Sequence, residues 1–259
     1  MLALLVTPPV LLALWRFSFP YTCLAYFCPF LCAGFIAHGR YEAAIYKRRF
    51  IAGYYLRRRS LLYRLTTGRL VIGLGALIVG VVSAFALAMF TALANQGEMV
   101  ALGAAWLLTI GFRPIVSRVL RTQVRDRPAS VVTKKLTANL SFGFAAVGFV
   151  AFALHAPIPD FVDPTSLAKT MDTASQTVAS LCACTNFAAK LSQEWTAAFW
   201  FGMVSTTPTL GNDVLQFAAW LPFLLQSCLA LLGMSWLSVE VASLAQRHIT
   251  NAATGFPPQ

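Results

Sequence analysis

The sequence predicts an all-α integral membrane protein with about five transmembrane helices, and its apolar runs accommodate roughly four to six. Three observations carry that prediction. Of 259 residues, 58% are apolar and 11% charged, where a soluble domain carries about 25% charged residues. The mean hydropathy is +0.68. The charges are gathered into blocks beside apolar runs long enough to cross about 30 Å of hydrocarbon. A net charge of +11 in a soluble chain would suggest nucleic acid. Placed beside apolar runs, it points to a membrane surface, and no nucleic-acid partner is expected.

Residues 1–38 form an apolar region interrupted by Arg16 and by Pro8, Pro9, Pro20 and Pro29. Prolines disrupt a helix interior. The expectation is therefore one span over Phe17 to His38, preceded by an interfacial or re-entrant piece. Met1 to Trp15 holds no Lys or Arg, so neither a cleaved secretory signal nor an Arg-rich presequence is expected.

Residues 39–69 contain nine Lys or Arg and one acid. Between Tyr41 and Leu65, apolar residues alternate with Lys47, Arg48, Arg49, Arg57, Arg58 and Arg59, approximating a basic amphipathic helix that Gly53 weakens. Such a segment suits anionic lipid such as cardiolipin or phosphatidylglycerol, at about 1 kcal/mol per basic residue near the surface. It equally suits a partner subunit, or an ordinary loop obeying the charge rule.

Residues 70–120 read as a transmembrane hairpin. Leu70 to Ala94 is uncharged, Asn95 to Glu98 is turn-like, and the return leg reaches Leu120 if Arg113 and Arg118 extend to the interface. In the outgoing leg, Ala76, Gly80, Ala84 and Ala88 recur every fourth residue, a row of small residues that lets a second helix approach closely. That helix is expected to belong either to another subunit or to this chain's own fourth span.

A basic loop at 121–135 precedes the fourth span, 136–158. An outer segment, 159–213, is poor in basic residues and has room for one or two short helices around Leu167 to Trp195. The fifth span is 214–237, and 238–259 is the tail. Sixteen of the 20 positive charges lie in residues 39–69 and 113–135. By the positive-inside rule those segments face the cytoplasm of a bacterium or the matrix of a mitochondrion, at its inner membrane, and 159–213 faces out.

No catalytic or metal-binding constellation is expected, and no cofactor. There is no phosphate-cradling glycine loop, paired carboxylate site, Gly-x-Ser-x-Gly or His-Glu-x-x-His motif. Cys182 and Cys184 are expected as free thiols, since so short a loop strains a bridge between them. Read by hydropathy, no acidic residue lies within an apolar core, which counts against a proton or cation carrier. Gln226 and Arg113 are the two side chains a pore would use.

These features predict a non-catalytic, multi-pass subunit or scaffold of a larger membrane complex, in contact with lipid and other subunits. The competing expectation is a channel or transporter component, possibly a homo-oligomer.

Overall fold

The computed structural model describes residues 5–55, 68–123, 126–153, 158–206 and 227–246. Among them every regular element is helical. Helix α1 is Thr7–Ser18. A 3-10 turn at Cys23–Tyr26 leads into α2, Phe27–Tyr55, followed by α3, Arg69–Leu93, α4, Gln96–Gln123, and α5, Asp126–Ala153. Two helices outside the long spans, α6 at Leu167–Gln176 and α7 at Ala183–Thr206, precede α8 at 227–246.

Five stretches are long and apolar enough to cross a membrane: Cys23–Ile45, Arg69–Leu93, Gln96–Leu120, Ser130–Ala153 and Ser227–Gln246. The chain is an all-α, multi-pass membrane protein. Helix α8 is buried over 78% of its length, against 22% to 39% for the other four, so it forms the axis of the bundle. An all-round apolar helix belongs in such a position, and Leu231, Met234, Leu237 and Val239 fill the core from it.

Helices α2 and α3 run antiparallel in close contact, Gly73 lying beside Tyr41 and Gly80 beside Ala33 and Ala37. Helices α4 and α5 form a second antiparallel pair, with Phe112 against Phe144. The α3–α4 turn is fixed by a reciprocal cap: Glu98 accepts from the Asn95 N–H at 2.8 Å, and Asn95 Oδ1 accepts from the Glu98 N–H at 2.9 Å.

The prolines of the N-terminal region shape α1. Pro8 and Pro9 lie in the first turn of α1, where a missing N–H costs nothing. The Leu5 carbonyl accepts from Trp106 Nε1, about 15 Å along α4 from its start. At the other end of α1, Trp15 Nε1 donates to the Ala88 carbonyl at 2.7 Å, and Arg16 donates to the carbonyls of Thr91 and Ala94 at 3.1 and 2.9 Å. Arg16 thus satisfies carbonyls that the end of α3 leaves without helical partners, where a cation also complements the helix dipole. Helix α1 therefore spans about half the bundle.

A disulfide joins Cys23 to Cys182, which corrects the expectation of a free Cys182; Cys184 remains a free, exposed thiol. Beside the bridge, Ser180 Oγ donates to the Phe19 carbonyl and the Leu181 N–H to the Pro20 carbonyl. Helix α6 is capped by Ser166, and Asp163 pairs with Lys169 at 2.7 Å. The Lys169 ammonium holds the Asp163 carboxyl well below the usual carboxylate range.

Three spans are displaced from their sequence-based bounds. The first apolar stretch is Cys23–Ile45 rather than 17–38, the fourth starts at Ser130 rather than 136, and the last ends at Gln246 rather than 237. The shifts bring charged residues into the spans, Arg40 and Glu42 in the first, Lys134 and Lys135 in the fourth and Glu240 in the last. Glu42, Lys134 and Glu240 are tolerated there because their charges meet.

Candidate functional site

Four helices converge on Glu240 of α8. Its side chain is fully buried, and the backbone of α2 makes space for it: a Cβ added at Gly39 would fall 2.1 Å from the Glu240 carboxyl carbon. Lys134 of α5 donates to Glu240 Oε2 at 3.0 Å and to Glu42 Oε2 of α2 at 2.8 Å. One ammonium therefore bridges two carboxylates on different helices. Ser243 Oγ lies 3.4 Å from Glu240 Oε2, and Glu240 Oε1 has no hydrogen-bond partner among the described residues.

The surroundings supply more charge. One turn before Glu42, His38 Nε2 lies 3.6 Å from Glu42 Oε1. Arg113 of α4 is close enough to Glu240 for their charges to interact, and it donates to Gln246 Oε1 of α8 at 3.0 Å. The Arg40 guanidinium lies 5.1 Å from the ring centroid of Trp236, a cation–π distance. Removing an ion from water costs several kcal/mol, and this cluster offsets that by placing opposite charges at hydrogen-bonding distance. It also fixes α8 to α2, α4 and α5.

The expectation that no acid lies within an apolar core is thereby overturned. Glu42 and Glu240 both lie in membrane-crossing stretches. Hydropathy missed them because Glu240 follows the apolar run ending at Leu237, and Lys134 precedes the one beginning at Leu136. The partners lie 92 and 106 residues apart in sequence. Gly39, three residues before Glu42, gives no sequence signal that it accommodates a carboxylate from another helix.

The small-residue row is also reassigned. Ala76, Gly80, Ala84 and Ala88 are all buried, but the helix at Gly80 is α2 of the same chain. A Cβ at Gly80 would lie 2.8 Å from the Ala33 carbonyl oxygen and 2.8 Å from Ala37 Cβ. At Gly80 that position is filled by α2. The reason is complementarity, since Ala33 and Ala37 present their own small pair to the row.

Arg113, expected beside a pore, is held by Gln246 and acts on Glu240. Gln226, its proposed companion, lies outside the described residues, as do Arg57, Arg58 and Arg59. Lys47, Arg48 and Arg49 fall on the continuous helix α2, which passes through Gly53 without a break; their side chains are outside the described set.

A second feature lies at the disulfide end. Phe187, Leu191 and Trp195, spaced four apart on α7, are 70%, 54% and 58% exposed. Opposite them on α7, Ala189, Ala197 and Trp200 are buried. The exposed row lines an apolar cleft of about 790 Å³, whose other wall includes Met89 and Phe90 of α3, with Glu98 also lining it. Among the described residues no group of His, Cys, Asp and Glu is arranged to hold a metal ion.

No protein family, curated protein or solved structure matches the chain.

Proposed function

We propose that the chain is a non-catalytic, multi-pass subunit of a larger complex in an energy-transducing or secretion-type membrane. The observation that supports this reading is the exposed row Phe187, Leu191 and Trp195 on α7. Helix α7 is not among the five stretches long and apolar enough to cross a membrane, yet it presents this apolar row beside the cleft. An apolar helix face at i, i+4, i+8 beside a cleft suits a helix of a neighbouring subunit.

Two arguments support one orientation. Disulfides persist in oxidising compartments, which favours an outside location for the Cys23–Cys182 end. The basic blocks at the opposite end favour the matrix or cytoplasm. Both support the reading of an inner membrane, mitochondrial or bacterial, in which Lys47 to Arg49 and Arg57 to Arg59 would meet cardiolipin, phosphatidylglycerol or a partner.

The experiment is native mass spectrometry of the protein extracted in mild detergent. The wild type is expected with partner subunits. Phe187→Gln with Leu191→Gln changes exposed positions, so the fold is expected to survive within about 0.5 kcal/mol per site, while partner occupancy falls roughly tenfold or more. Unchanged company in the double variant would reject the α7 face as the docking site.

A channel or transporter component is the second reading, and the Glu42–Lys134–Glu240 cluster favours it. Ionisable residues inside spans mark ion pathways and proton relays by default.

A further inference from the structure

We propose that His38, Glu42, Lys134 and Glu240 form a proton relay that loads the buried Glu240 carboxyl from the basic end of the bundle. The inference goes beyond the subunit reading and holds whether or not partners are present. Three observations carry it.

The first is continuity. His38 Nε2 lies 3.6 Å from Glu42 Oε1, Glu42 Oε2 lies 2.8 Å from Lys134 Nζ, and Lys134 Nζ lies 3.0 Å from Glu240 Oε2. The last two separations are hydrogen bonds, and a small rotation of the imidazole brings the first into range. Glu42 presents a different oxygen to each neighbour, so it can receive on one side and donate on the other.

The second is direction. The side chains are 48%, 25%, 9% and 0% exposed in that order, running from a half-exposed imidazole to a carboxyl enclosed by the protein. The third is the terminus. Among the described residues Glu240 Oε1 is buried without a hydrogen-bond partner, so the chain of contacts ends on a carboxyl oxygen that no protein group occupies.

The transfer balances. His38 imidazolium gives its proton to Glu42 Oε1, the N–H bond breaking as an O–H bond forms. Lys134 ammonium gives a proton to Glu240 Oε2, and the protonated Glu42 carboxyl rotates about its Cγ–Cδ bond so that its O–H faces the Lys134 amine, which takes that proton as the O–H bond breaks. Glu42 and Lys134 end as they began, His38 is neutral, and Glu240 is a neutral acid. His38 then recovers a proton from water at the surface.

The charged groups around Glu240 come from every helix packed against it. Lys134 of α5 bonds it directly and ties it to Glu42 of α2, beside which His38 lies. Arg113 of α4 is close enough for its charge to act on Glu240, and on α8 Ser243 is the polar neighbour. Arg40 of α2 is turned to Trp236.

The test is time-resolved infrared difference spectroscopy on the full chain in phosphatidylcholine vesicles after a pH jump across roughly pH 8 to 5. The wild type is expected to show a carboxylic C=O band of a buried acid, absent from Glu240→Gln. The half-exposed His38→Gln variant supplies an arm that does not depend on the fold of Glu240→Gln. Its band should reach the same amplitude about tenfold or more slowly, and added imidazole should restore the rate. A wild type without a titrating buried acid, a band surviving in folded Glu240→Gln, or an unchanged rate in His38→Gln would each overturn the proposal.

Discussion

Replacing Lys134 with Met is expected to leave little folded protein. Met has a similar length and fills the space, so the loss isolates the charge. Glu240, fully buried, would face Glu42 with the bridging ammonium gone. Removing one partner of a buried pair costs about 3 to 5 kcal/mol, because the other charge stays in a low-dielectric site. A total stability of about 5 to 15 kcal/mol leaves little margin. Arg113 offsets part of the loss, although its guanidinium is engaged by Gln246. The measurement is the monodisperse fraction after detergent extraction, together with the thermal midpoint. Adding Glu240→Gln to Lys134→Met is expected to recover much of the stability, since the uncompensated charge is then gone. A Lys134→Met protein as stable as the wild type would show that the bridge contributes nothing.

That expectation depends on contacts the linear chain conceals. The bundle itself was legible, because apolar runs about 20 residues long have few alternatives to a membrane span. The turn at Asn95 to Glu98 was legible as well, since its capping residues are local. The Cys23–Cys182 bridge was not: its cysteines are 159 residues apart, and the nearer Cys184 drew attention to a strained alternative. Glu240 was hidden for a different reason. Hydropathy assigns each residue its cost in isolation, whereas a carboxylate bonded to an ammonium on another helix no longer carries that cost. Ser238 and Ser243 donate to carbonyls within their own helix, so α8 extends past its apolar stretch to Gln246.

The row Ala76, Gly80, Ala84 and Ala88 marks the boundary between what spacing can and cannot tell. Spacing announces a close helix contact but not the identity of the neighbour. With α2 as that neighbour, Gly80→Leu has a defined consequence. The added side chain begins 2.8 Å from the Ala33 carbonyl oxygen and 3.0 Å from the Ala37 backbone nitrogen. Neither atom is the end of a flexible side chain, so α2 must move as a whole. Overpacking of this kind costs about 1 to 3 kcal/mol or more. A shift of α2 also displaces Glu42 and Gly39 from Glu240, adding part of the loss expected for Lys134→Met. Val79→Leu is the control, because Val79 is exposed and a larger apolar side chain there extends into lipid with little effect. Gly80→Leu should therefore lower the thermal midpoint and the folded yield, losing partners only to the extent that the chain unfolds. If the variant keeps its stability but leaves its complex, the row faces another subunit and the α2–α3 contact is not the one that matters.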